Sequence, residues 1–198
     1  MIKAIIFDIG GVILDMSAIV KPAIEVFHPE DNKKFWEELN IEAIPLCRGD
    51  ISMLEFWKNL AKRQKKKVDE EILKNLWVDK FEDMTLIDNG VKKLIINLKK
   101  KYKLAVISNS IKQHSDIIKK TGLYDLFDVV VLSHEVRMTK ENQEIFLLAL
   151  KELHLNPDEC VFIDDIPLFV DTANKLGMKG IIFRNIKELK TELKVILG

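Results

Sequence analysis

The residues of this 198-residue chain that are equipped for chemistry stand at the ends of apolar runs. Asp8 closes Ala4-Ile5-Ile6-Phe7, Ser108-Asn109 close Leu104-Ala105-Val106-Ile107, and Asp164-Asp165 close Cys160-Val161-Phe162-Ile163. Lys140 stands ahead of a further apolar segment that begins near Asn142. The spacing is 100 residues from Asp8 to Ser108, 32 on to Lys140 and 24 on to Asp164. A carboxylate can be a covalent nucleophile toward phosphorus. Mg²⁺ takes carboxylate and carbonyl oxygens and bridges to phosphate. A lysine and a hydroxyl can hold phosphoryl oxygens and neutralise their charge. Each residue also has a plainer reading when taken singly. Asp8 ends a strand, Ser108 caps the helix after it, Lys140 is one of 27 lysines, and the acidic pair complements a helix N-terminus.

Positioning such a set requires elements that end at one place. The apolar runs at 4–7, 104–107, 129–132, 160–163 and 180–183 are continuous and rich in β-branched residues. Runs of that kind read as strands buried on both faces. Between them, Val91, Leu94, Ile95 and Leu98 repeat at helical spacing, as do Ile145, Phe146, Ala149, Leu150 and Leu153, and then Val170, Ala173 and Leu176. A helix over 112–121 stops at Gly122. The alternation predicts an α/β fold, a Rossmann-like parallel sheet with helices on both faces. In open sheets of this type ligands sit beyond the carboxyl ends of the strands, where the candidate residues fall.

Residues 16–80 break the alternation. They hold all three tryptophans, Trp36, Trp57 and Trp77, many charges and few β-branched runs. Helices are expected at about 30–40, 52–65 and 69–80, and Ser52-Met53-Leu54-Glu55 matches a capping box at the start of the second. The aromatic side chains of this segment are expected to form its small core. The chain therefore reads as a core made of 1–15 and 81–198, interrupted by a helical cap at 16–80.

Composition narrows the function further. Lys and Arg number 31 against 31 Asp and Glu, so the net charge is zero, which argues against a dedicated nucleic-acid binder. Cys47 and Cys160 form no CxxC and read as buried thiols, and the four histidines share no metal-ligand spacing. No apolar stretch of about 20 residues is present, so no membrane span is expected and the cytoplasm is the default compartment.

The motifs in order resemble the haloacid dehalogenase-like (HAD) superfamily, in its branch with a helical cap after the first motif. The likeness spans essentially the whole chain. Its motifs here are Ile6-Phe7-Asp8-Ile9-Gly10-Gly11-Val12, Val106-Ile107-Ser108-Asn109, Arg137-Met138-Thr139-Lys140 and Val161-Phe162-Ile163-Asp164-Asp165, with the cap segment Arg48-Gly49-Asp50-Ile51-Ser52. The resemblance implies that Asp8 becomes an aspartyl-phosphate and that Lys140 pairs with Asp8 and the phosphate. It implies phosphoryl contacts from Ser108 and the Asn109 amide. Arg48, in the cap, reads on its own residue type either as a contact to an anionic substrate or as one arm of a cap–core salt bridge. The resemblance implies Mg²⁺ held by Asp8, Asp165, Asp164 and the Gly10 carbonyl. The implied activity is a Mg²⁺-dependent phosphatase of small phosphomonoesters such as sugar phosphates, a monomer or homodimer acting on a small phosphorylated metabolite.

The chain also departs from that pattern. Gly10 stands where family phosphatases usually carry an Asp acid, although sugar-phosphate phosphatases of one branch also have Gly there. Glu141 replaces the Pro after Lys140 and puts a negative charge beside the phosphate site. Phe169 replaces an Asn or Asp four residues after Asp165. Asp15 is the nearest spare acid and reads as a hinge or capping residue. These departures leave a second reading, a catalytically impaired binding or regulatory protein. A third, a 2-haloacid dehalogenase that needs no metal, sits badly with the intact Asp164-Asp165 pair.

Overall fold

The protein is described by a computed structural model covering residues 1–15, 17–76 and 87–198. Five strands, β1 (Ala4–Phe7), β2 (Lys103–Ser108), β3 (Val129–Leu132), β4 (Cys160–Asp164) and β5 (Lys179–Ile182), form one sheet in the order β3-β2-β1-β4-β5. Every pairing is parallel, with Phe7 opposite Val106 on one side and Ile163 on the other. The carboxyl ends therefore converge on one edge. The strand order reverses beside β1, which opens a crevice between the ends of β1 and β4.

Alternation along the strands splits the core into two layers. Ile5, Phe7, Leu104, Val106, Val161 and Ile163 face one side, while Ala4, Ile6, Ala105, Ile107, Cys160 and Phe162 face the other. All four residues of β1 are fully buried, as expected for a central strand covered on both faces. The second layer is closed by α8 (Glu144–Leu153) and α9 (Pro167–Lys175), through Ile145, Phe146, Ala149, Leu150, Phe169 and Ala173. Phe146 and Phe162 meet edge to face at 5.0 Å. Truncating either to Ala would cost roughly 3–5 kcal/mol.

Between β1 and β2 come α1 (Ser17–Phe27), α2 (Asn32–Cys47), α3 (Met53–Arg63), α4 (Glu70–Asn75) and α5 (Asn89–Leu98). The capping box forms as read: Glu55 N donates to Ser52 Oγ at 3.2 Å and Ser52 N to Glu55 Oε2 at 3.0 Å. Asp31 caps α2, accepting from Lys33 N and Lys34 N at 2.8 and 3.1 Å. Phe27 lies 5.6 Å from Phe35 and 5.9 Å from Trp57, which lies 4.6 Å from Phe56. These rings join the same apolar layer as Ile5 and Phe7.

Three expectations need correction. Trp36 is 37% exposed and outside the aromatic core, because Phe35 and Leu39 at i and i+4 take the inward face of α2. α2 runs on to Cys47, past Pro45, well beyond residue 40. α1 was not expected, since none of the helices read from the sequence of this segment begins before about residue 30. The third cap helix is seen as Glu70–Asn75, whereas Trp77, the end of the expected span at 80 and the return to the core at 81 lie outside the described residues.

The remaining α-helices among the described residues are α6 (Lys112–Lys120), the four-residue α7 (Ser133–Val136) and α10 (Ile186–Leu197). α6 is capped by Ile111 without a side-chain bond, so Ser108 is not its N-cap.

Candidate active site

The site is built where the ends of β1, β2 and β4 meet the loop before α8. Asp8 continues β1, its N–H donating to Ile163 O of β4 at 2.9 Å, and only 5% of the residue is exposed. The chain then turns sharply, with Gly11 N bonded to Leu14 O at 2.8 Å and Gly11 at φ +77°. Leu14 bridges to Ile87, so the two connections of the helical insert run side by side.

Lys140 reaches into this crevice and is 1% exposed. Its Nζ lies 2.7 Å from Asp8 Oδ1 and 2.6 Å from Asp164 Oδ2. The Phe169 ring lies 4.8 Å from the same ammonium, within cation–π range. The other oxygen of Asp164 accepts from Ile166 N at 2.9 Å, which ties the carboxylate to the start of α9. The Lys140 backbone N–H donates to Asn109 Oδ1 at 2.9 Å, locking its loop to the end of β2. Ser108 is buried beside it.

Asp8, Asp164 and Asp165 each bring an oxygen into one group whose members lie within 4.8 Å of one another. Gly11 makes this possible. A Cβ there would sit 2.3 Å from Asp165 Oδ2 and 2.5 Å from Asp165 Cγ. The close neighbour of Gly11 is thus the Asp165 carboxylate.

The electrostatics follow from crowding three acids around one base. Burial pushes the Asp8 carboxyl up to about 7, with Lys140 pulling against the shift and Asp164 adding to it. Burial and then Asp164 push Asp165 up to about 6. Burial works against the Lys140 charge, but the Asp164 and Asp8 carboxylates outweigh it and hold the ammonium above its ordinary value. When ionised, three carboxylates against one ammonium leave two negative charges unbalanced. An all-oxygen donor set with that excess charge fits a hard divalent cation.

A model of the haloacid dehalogenase-like hydrolase family matches residues 2–177. The chain belongs to that family. The HAD-like chain is 29% identical over its whole length, and over the whole of the relative, to the D-ribitol-5-phosphate phosphatase of Bacteroides thetaiotaomicron. It is 26% identical to the phosphorylated carbohydrates phosphatase of Thermotoga maritima, over 90% of this chain and 83% of that one. Among solved structures it resembles a Bacteroides thetaiotaomicron HAD family enzyme in complex with magnesium and inorganic phosphate, at TM-score 0.66 and 23% identity, covering 93% of this chain and 95% of that one.

The other sequence candidates of this HAD-like hydrolase are placed as follows. Gly10 lies in the turn between Asp8 and Gly11, inside the acidic group's loop. Glu141 has both carboxylate oxygens 3.4 Å from Asn109 Nδ2. Arg48 ends α2 and is paired with Asp50 at 2.7 Å; Asp50 in turn holds Arg137 at 2.8 Å. These exposed pairs are each worth about 0–1 kcal/mol. Asp15 is exposed where the chain leaves for α1.

Residue patterns gave no sign of a second tether at this junction. Ser133 Oγ lies 2.6 Å from Cys47 O and 3.1 Å from Ser110 O, and it accepts from Ser110 N at 2.9 Å. One hydroxyl thus joins the end of α2 to the loop carrying Ser108 and Asn109. The Phe169 ring over Lys140 was likewise unread, since its position suggested only a lost polar neighbour. No helix among the described residues is long and apolar enough to cross a membrane.

Proposed function

We propose that the protein is a Mg²⁺-dependent phosphatase of small phosphomonoesters, phosphorylated sugars or polyols among them, working through an aspartyl-phosphate on Asp8. The observation that carries this is Lys140, buried and shared between Asp8 and Asp164 beside Asp165. The ammonium orients the Asp8 carboxylate and offers its charge to a phosphoryl group at the mouth of the crevice. Ser108 Oγ and the Asn109 amide bind further phosphoryl oxygens. Asp8, Asp164, Asp165 and the Gly10 carbonyl would hold Mg²⁺, which supplies charge neutralisation for the phosphoryl group. The segment 16–80 acts as a cap that excludes water and shapes the substrate end, with Arg48 as its contact to an anionic substrate. The names of the two relatives, both phosphatases of phosphorylated carbohydrates or polyols, support the substrate class. Two free thiols, Cys47 and Cys160, suit a reducing compartment, the cytoplasm.

The test is turnover of a panel of sugar, polyol and aryl phosphates with and without Mg²⁺, beside Asp8→Asn. Metal-dependent turnover lost in the variant is expected. Wild type and variant that are equally active, or equally inert, would sink the reading. Gly10 favours one alternative, a protein that binds phosphate and Mg²⁺ without turnover, and the same panel combined with a binding titration separates the two.

A further inference from the structure

Hydrolysis through Asp8 needs a proton delivered to the departing alcohol oxygen and later one removed from water. Position 10, two residues past Asp8, is a glycine and offers no group for this. Lys140, Asp165, His134 and Cys47 at this edge are committed elsewhere. Lys140 is locked between Asp8 and Asp164, and Asp165 packs on Gly11 within the acidic group. His134 is engaged at both ring nitrogens, by Ser110 Oγ at 3.2 Å and Ser115 Oγ at 3.1 Å. The Cys47 thiol is pushed up to about 12, by burial first and then by Glu141, so it keeps its proton.

Glu141 is different. It directly follows Lys140, is half-buried, and pairs with no cation among the described residues. Its carboxylate rests on the side-chain amide of Asn109, the residue after Ser108, with both oxygens 3.4 Å from Nδ2. Asn109 is itself fixed by Lys140 N, so the carboxylate is held against a rigid support beside the phosphoryl-binding residues.

Resting on the phosphatase reading above, we propose that Glu141 is the proton-transfer group of this chain, in the role that Gly10 leaves open. In the first step Asp8 Oδ bonds to phosphorus, the bond from phosphorus to the alcohol oxygen breaks, and the Glu141 carboxyl gives its proton to that oxygen. In the second, water attacks phosphorus, the Glu141 carboxylate takes its proton, and the bond from phosphorus to Asp8 breaks. One phosphomonoester and one water become one alcohol and one inorganic phosphate, with Asp8 and Glu141 restored.

The experiment is a leaving-group series from nitrophenyl phosphate to alkyl, polyol and sugar phosphates, run with Mg²⁺ on wild type, Glu141→Gln, Glu141→Ala and Asp8→Asn. Gln keeps an acceptor for Asn109 but carries no transferable proton. Glu141→Gln is expected to lose about 10²–10⁴-fold in kcat/KM on the alkyl esters. It should lose under about tenfold on nitrophenyl phosphate, whose leaving group needs little proton assistance. Added formate should restore part of the alkyl-ester rate of Glu141→Ala. An equal loss across the series, or a Glu141→Gln enzyme that behaves as wild type, overturns this inference alone, provided that Asp8→Asn is inactive. A wild type that turns over none of the series, or turnover that survives Asp8→Asn, overturns the phosphatase reading and this inference with it.

Discussion

Lys140→Met removes an ammonium from between two buried carboxylates and leaves the methylene stem in place. Breaking a buried ion pair by deleting one partner costs about 3–5 kcal/mol. The pH dependence sharpens the test. In the wild type the folded-state value of Asp8 is raised to about 7, so the folded state holds more protons than the unfolded one between 3.8 and 7. Stability from this group therefore falls as pH rises through that window and levels off above it. Without Lys140 the folded-state value moves higher still, and the fall continues past 7. The variant should be about 3–5 kcal/mol less stable than wild type at pH 7, with a deficit that widens by up to about 1.4 kcal/mol per pH unit toward pH 9. Mg²⁺ at a hundred times its dissociation constant should return about 2.7 kcal/mol. Urea unfolding at pH 6, 7, 8 and 9, with and without Mg²⁺, measures all three. A variant as stable as wild type throughout, or a deficit that narrows with rising pH, would refute the reasoning.

Gly11→Ala places a methyl 2.3 Å from Asp165 Oδ2 at φ +77°. It should cost about 1–2 kcal/mol in stability and weaken Mg²⁺ binding by calorimetry; unchanged affinity would mean that Asp165 is not a ligand. Mg²⁺ must displace protons from Asp8 and Asp165, whose values rise to about 7 and about 6. Its affinity should therefore fall by about tenfold per pH unit as pH drops below 7, and more steeply below 6; a flat titration from pH 8 to 5 would contradict this. Phe169→Leu removes the ring 4.8 Å from Lys140 Nζ and should cost about 1–2 kcal/mol in urea unfolding beyond the loss of volume, with Phe169→Tyr close to wild type.

The frame of this fold was legible because a strand buried on both faces must be apolar at every position. Ala4-Ile5-Ile6-Phe7 and Cys160-Val161-Phe162-Ile163 announce themselves without any partner in view. The acidic and hydroxyl residues that follow them were legible for the same reason, since a parallel sheet collects its strand ends on one edge. What stayed hidden depends on pairs distant in sequence. Arg137 and Asp50, or Ser133 and the Cys47 carbonyl, are 87 and 86 residues apart, and no local period marks either. Trp36 was misplaced because aromatic content names a core without saying which face of a helix enters it. Phe169 was read by what it lacks, a polar atom, whereas its ring contributes to the site by lying over a cation.

The order of the strands sets a schedule for the growing chain. β1 is made first yet sits in the middle of the sheet, and its partner β4 is almost the last strand to appear. Asp8 and Asp164 are separated by 156 residues, which at about 5–20 residues per second is roughly 8–30 s of synthesis. During that interval β2 and β3 can join one edge of β1, while the other edge presents unpaired backbone and Asp8 has neither Asp164 nor Asp165 beside it. The carboxylates that make the site are thus brought together only late in synthesis, so a ribosome-bound chain stalled before residue 160 should carry a half-sheet with one open edge and no acidic cluster.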